Sequence, residues 1–120
     1  MLNLDTHILL HALAGNLEPA ERELLAADDD WGISAIVLWE IEKLYQKGRI
    51  RHGLDYGPMT LALQRLEIWP ITVDVCRNLR ALDFSSDPAD ELIAATSLTH
   101  GVPLVTRDSR IRNSKVVRCL

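Results

Sequence analysis

DPADELIAATSLTHGVPLVTRD (residues 87–108) joins a well-punctuated helix directly to an apolar strand that ends in an acid. Asp87 stands at the capping position, Pro88 at the first helical position and Gly101 at the stop, the asymmetry that helix ends favour. VPLVTRD (102–108) then reads as an extended apolar run closed by Asp108. The chain opens the same way: LNLD (2–5) is a short apolar strand closed by Asp5, and THILLHALAG continues at helical spacing until Gly15. An ionised carboxylate is costly to bury without a compensating partner. Two strands that both end in one pose the question that the other acids must answer.

Outward from these two stretches, the chain alternates. PAERELLAA begins a second helix at Pro19, and the acidic run Asp28–Asp30 reads as a solvated turn. WGIS (31–34) is a second short strand, with Ser34 placed to cap a helix from Ala35 to about Lys47 and Gly48 as its stop. HGLDYGP is a loop, and MTLALQRLE a further helix. IWPITV (68–73) is extended, with Pro70 arguing against a central place in a sheet. VDVCRNLRALD is a short helix, and KVVRCL (115–120) a last strand. Strands alternating with helices predict an α/β fold with a short parallel sheet of four to five strands, covered on both faces.

The 120 residues fit one domain, 1–120. Apolar residues make up 48%, enough for a core, and the 17 acids against 13 Lys and Arg give a net charge of −4. That balance does not announce nucleic-acid binding and does not exclude it, because acids gathered around cations are neutralised by them. No apolar run approaches the ~20 residues of a membrane span, and the N-terminus lacks the pattern of a signal peptide. Cys76 and Cys119 are far apart and in no metal-binding spacing. Reduced thiols and a cytoplasmic location are the expectation.

In an open parallel sheet, ligands bind beyond the carboxyl ends of the strands. Asp5 and Asp108 both lie there. Asp90, in the first turn of its helix, and Glu40, nearly two turns into the helix after WGIS, can face the same edge. Each has a plainer reading. Asp5 can cap the helix after it, Asp90 can bond back to its own helix start, and Asp108 can close a turn. For Asp87, capping is the preferred role. Glu40, in IVLWEIEKL, is hardest to explain alone, since apolar neighbours surround it. Together the four repel one another, and stay ionised only with cations between them. Oxygen ligands select hard ions such as Mg²⁺ or Mn²⁺. Such ions align a phosphodiester, activate water and stabilise the leaving oxygen.

At these residues the chain resembles a PIN domain, and closely the VapC-type toxin ribonucleases of toxin–antitoxin pairs. The likeness rests on LDTHILLHAL, ISAIVLWEIEKLYQKGRI and DPADELIAATSLTHGVPLVTRD. It implies an α/β/α sandwich that cuts RNA with Mg²⁺ or Mn²⁺. By motif, the metal-binding and catalytic acids fall on Asp5, Glu40, Asp90 and Asp108, with hydroxyls at Thr6, Ser34 and Thr106 beside them. It also implies a homodimer and a small antitoxin covering the site, with MTLALQRLEIW a plausible contact. One departure is visible. Where the family often reads D-P-F-D-R, this chain has Ala89 in place of the aromatic and Glu91 in place of the basic residue.

Basic residues cluster after two of the acids. Lys43, Lys47, Arg49 and Arg51 follow Glu40, and Arg107, Arg110, Arg112, Lys115 and Arg118 surround or follow Asp108. Both groups are candidates to hold RNA phosphates, with solvated faces as the alternative. Trp39 is expected to pack rather than to stack on a base. His7 and His11 share a helix face, but no H-E-x-x-H signature accompanies them. Rival readings fail on single positions. An aspartyl-nucleophile phosphatase needs an acid where His7 stands, and a phospho-acceptor domain needs a lysine that VPLVTRD lacks. A PIN scaffold without activity, acting as a binding module, is the remaining alternative.

Overall fold

The computed structural model describes all 120 residues. Four parallel strands form one sheet: β1 (Leu2–Leu4), β2 (Trp31–Ser34), β3 (Glu67–Trp69) and β4 (Leu104–Val105), in the order β3-β2-β1-β4. The two strands that precede the predicted acids, β1 and β4, are neighbours, with Asn3 opposite Leu104 and Leu4 opposite Val105. β3, which stops just before Pro70, lies at an edge, where a residue without an N–H is tolerated.

Seven helices flank the sheet: α1 (Thr6–Ala14), α2 (Pro19–Ala26), α3 (Ala35–Gln46), α4 (Gly57–Arg65), α5 (Val73–Asn78), α6 (Pro88–His100) and α7 (Ser109–Arg112). A 3-10 turn, Leu79–Ala81, ends the α5 segment early. Gly15 and Gly101 terminate α1 and α6 at φ 74° and 64°, the left-handed conformation for which glycine is suited. The core is a single cluster that includes Leu2, Leu4, Ile8, Ile33, Val37, Ile41, Ile93 and Leu104. Asn3 is buried among them and ties β1 to α6, its Nδ2 donating to the Ile93 carbonyl at 3.1 Å and to Ser97 Oγ at 2.9 Å.

Three expectations are corrected. KVVRCL is not a regular strand: only a one-residue bridge, Leu104 with Cys119, joins it to the sheet. Arg112 Nη1 holds this segment instead by donating to the Thr106 and Leu120 carbonyls. The strand in VPLVTRD is only Leu104–Val105, because the chain turns at Thr106 to begin α7. Trp39 does not pack. It is 55% exposed, with the Lys43 ammonium 5.9 Å from its ring centroid.

Trp69 is the tryptophan that packs. Its ring stacks on His100 and lies across Gly32 so closely that a Cβ there would stand 2.5 Å from Trp69 Cη2. Gly32→Ala is therefore expected to cost about 1–3 kcal/mol by overpacking. Gly57→Ala, where nothing lies within 4 Å, is expected to leave stability unchanged or slightly raised. Urea unfolding of the two variants checks the contrast, and equal midpoints would contradict it.

Candidate active site

The carboxyl edge of the sheet is where β1 and β4 deliver their acids. Asp5 follows β1 directly, caps α1 and is buried. Its Oδ1 accepts from the Thr6 N–H at 2.7 Å and its Oδ2 from the Thr106 hydroxyl at 2.5 Å. The cap reading of Asp5 and the site reading are thus both satisfied by one side chain. Thr6, next along, donates its hydroxyl to Glu40 Oε1. Thr106 Oγ1 also accepts the Asp108 N–H at 3.0 Å. Two threonines therefore connect Asp5, Glu40 and the start of α7.

Asp90 sits half-buried in the first turn of α6 and accepts from the Ser86 hydroxyl at 2.9 Å. Asp108 caps α7, its Oδ1 accepting the Arg110 and Ile111 N–H groups. Burial pushes the Glu40 carboxyl above its ordinary range. The Thr6 hydrogen bond opposes this, and the negative charges of Asp5 and Asp90 raise it further. Asp90 is likewise raised, by burial first, against the Ser86 hydrogen bond, and then by Asp5, Asp108 and Asp87. Asp5 and Asp90 thus act on Glu40, and Asp5 and Asp108 on Asp90, although the four come from separate parts of the chain.

An ion implied by this family would be held by these oxygens. No three acidic, histidine or cysteine side chains stand close enough to enclose one. Mg²⁺ normally takes one or two carboxylates and keeps several waters. An all-oxygen set, with two carboxyls pushed upward by burial and like charge that a cation would relieve, fits that hard, hydrated ion.

Other predicted residues have different surroundings. Ser34 is buried and caps α3, accepting the Ile36 N–H at 3.3 Å, away from the acids' hydrogen bonds. Asp87 occupies the α6 capping position but makes no side-chain cap hydrogen bond. Glu91 instead ties the preceding residue to the helix, accepting the Ser86 N–H at 2.9 Å. The unexpected acid of this chain therefore anchors the start of α6. Ser86 was not singled out in the sequence. The signal for it was available, since a serine before Asp-Pro at a helix start is placed to serve both acids of the first turn.

Arg107 does not stand free for phosphate. Its Nε and Nη2 grip the Glu21 carboxylate at 2.7 and 2.6 Å, and Nη2 also reaches the Asn16 carbonyl. This fork holds α2 to the end of β4. Lys43, Lys47, Arg49 and Arg110 are exposed, Arg110 with one contact to the Ser85 carbonyl.

Two outcomes follow from these charges. Asp5→Asn removes one negative charge from the shared field, so Glu40 and Asp90 are expected to titrate at lower pH than in the wild type. Carboxyl ¹³C NMR reads this, and unchanged titrations would show that Asp5 is electrostatically remote. The Arg107 guanidinium holds Glu21 down from 4.5 to about 2. A depressed carboxyl stabilises the fold above its unfolded value, and that contribution is lost as pH falls towards the folded one. Between pH 4.5 and 2 the wild type is expected to lose more stability than Glu21→Gln. Parallel urea-midpoint profiles would contradict the pairing.

Comparison with known proteins agrees with this architecture. The PIN domain family model matches residues 3–116. Ribonuclease VapC22 of Mycobacterium tuberculosis is 31% identical over 120 residues, which cover 93% of this chain and 90% of that protein. Among solved structures, VapBC2 from Rickettsia felis bound to a DNA fragment from their promoter matches with a TM-score of 0.75 and 22% identity, covering 100% of this chain and 98% of that one. FitAcB from Neisseria gonorrhoeae matches with a TM-score of 0.64 and 22% identity, covering 92% and 89%. Most of the chain thus fits one family model, a relative of similar length shares nearly a third of its residues, and the fold is that of VapC-type structures. The chain belongs to the PIN domain family.

Proposed function

We propose that this chain is a single-domain, divalent-metal-dependent endoribonuclease, the toxin of a type II toxin–antitoxin pair. The observation that supports the reading is that buried Asp5 lies at the carboxyl edge of the sheet and that its charge acts on both Glu40 and Asp90, with Asp108 acting on Asp90 as well. The ribonuclease relative supports the substrate class. Asp5, Asp90 and Asp108, with Glu40, are the groups that would hold Mg²⁺ or Mn²⁺. Bound there, such an ion supplies charge neutralisation for a phosphodiester and a water of lowered pKa.

The chain's own residues set up the rest. Thr106 and the Thr6 N–H fix the rotamer of Asp5, so both its oxygens keep one direction. Thr6 holds Glu40 toward Asp5, and Ser86 holds Asp90. Glu40 and Asp90, both pushed upward by burial and by their acidic neighbours, are the carboxyls whose charged form a bound cation would favour. Lys43, Lys47, Arg49 and Arg110 remain to receive neighbouring phosphates. No Ser-His-Asp or Cys-His arrangement is required.

The partner reading has its own support. α1, α2 and α4 frame a mostly apolar groove of about 440 Å³, lined by Leu9, Leu13, Leu17, Trp31 and Leu66. The neighbouring structures are toxin–antitoxin complexes. An antitoxin segment laid against these helices is the occupant we assign, with a homodimer as the toxin's own state. No helix is long and apolar enough to cross a membrane, and the proposed place of action is the cytoplasm.

The scaffold alternative drew on Glu91, and that side chain has a structural task at Ser86. Purified protein is expected to cleave RNA with Mg²⁺ or Mn²⁺ and to stop in EDTA. Asp5→Asn is expected to lower the rate at least about a hundredfold, the scale of a lost charge-stabilising group. Cleavage that survives both EDTA and the substitution, or no cleavage of any RNA by antitoxin-free protein, would overturn the proposal.

A further inference from the structure

A second cleft lies beside the acids, and its chemistry is the opposite. It has a volume of about 710 Å³ and runs between α1 and the segment that joins α3 to α4. His7 and His11 line one wall, one helical turn apart, and Arg49, Arg51, His52 and Tyr56 line the other. Leucine side chains and Met59 make the apolar part of the lining. No acid lines it, although the chain carries 17 acids and a net charge of −4. Arg49 and Arg51 are exposed, and neither takes part in an ion pair. His52 and Tyr56 are stacked on each other, ring centroids 3.8 Å apart and 11° from parallel. The cleft reaches the acidic site through α1. His7 follows Thr6, the residue that holds Glu40.

We propose that this cleft takes a single-stranded flank of the RNA substrate, with Arg49 and Arg51 on its phosphates and the His52–Tyr56 pair under one base. The inference rests on the ribonuclease reading of the adjoining site and adds where on this chain the substrate's flank is held. Free guanidiniums facing a cleft whose own lining holds no acid suit a phosphate backbone, while Glu42 and Asp55 line a separate pocket on the other side of Arg51, His52 and Tyr56. A stacked ring pair beside them suits an unpaired base, because a base inside a helix has no free face to offer. The apolar lining explains why the trough is not a purely ionic surface. An acidic protein segment would meet the same arginines but has no use for the ring pair.

The test is binding of a short, fluorescein-labelled RNA of mixed sequence to the full chain in EDTA, read by anisotropy across a salt series. Arg49→Ala/Arg51→Ala is expected to bind about tenfold more weakly. Its salt slope is expected to be shallower by about 1.4, since each phosphate contact on a single strand contributes about 0.7. Arg49→Lys/Arg51→Lys is expected to keep most of the affinity. His52→Ala is expected to lose about fivefold or more with an unchanged slope, because stacking releases no counterions. The same RNA annealed to its complement is expected to bind the wild type several-fold more weakly. All these side chains are exposed, and circular dichroism confirms that the variants fold.

Variants that bind as the wild type does, or a duplex that binds equally well, would overturn the inference. So would polyglutamate that competes as effectively as RNA, which would assign the cleft to an acidic protein partner. A wild type that cleaves RNA while these variants bind it unchanged removes only this inference. A wild type that neither binds nor cleaves RNA removes the ribonuclease reading as well.

Discussion

The hydrogen bond from the Thr106 hydroxyl to Asp5 Oδ2 is the contact on which the rest of the site depends. It joins the carboxyl ends of two neighbouring parallel strands, β1 and β4, across 101 residues of sequence. The other Asp5 oxygen accepts the first N–H of α1, so one buried carboxylate orients a strand end, a helix start and the turn into α7. A buried carboxylate satisfied at both oxygens is inexpensive to keep. Once it is fixed, its charge acts on everything delivered to the same edge.

That charge sets the character of the other acids. Glu40 and Asp90 are each partly withdrawn from water and each stand in the field of Asp5. Left to themselves they would hold their protons more firmly than ordinary carboxyls do. Each is nevertheless held in place by a hydroxyl, Thr6 for Glu40 and Ser86 for Asp90. Such an arrangement is unfavourable for folding alone and favourable for a cation, and a site of this kind sacrifices some stability for function. The basic groups around it are disposed differently, and Arg110 stays close, bonded to the Ser85 carbonyl. Arg107 is neutralised by Glu21, whereas Arg49 and Arg51 stay open in a cleft of their own.

Much of this was legible in the sequence because its signals are local. An apolar run ended by an acid and followed by helical spacing places Asp5 at a sheet edge. Asp-Pro at one end and glycine at the other bound α6 closely. What was not legible is long-range or very short. α7 has four residues, too few to show helical periodicity, so the capping role of Asp108 was hidden behind its place at the end of an apolar strand. The partnership of Arg107 with Glu21 spans 86 residues and leaves no local trace. Trp39 was misplaced because α3 is apolar at Ile36, Val37, Leu38, Ile41 and Leu44, too much of its circumference to tell which side faces outward. KVVRCL has the composition of a strand, yet the Arg112 contacts hold it with only one bridge to β4.

Carboxylates distant in sequence that share a divalent ion must bind it at the carboxyl edge of the sheet. Anomalous diffraction from a crystal equilibrated with Mn²⁺ tests it directly. A manganese peak is expected within coordinating distance of the Asp5 carboxylate and at least one of Asp90, Asp108 or Glu40, and is expected to vanish in Asp5→Asn. A peak elsewhere on the molecule, or none at saturating Mn²⁺, would contradict it.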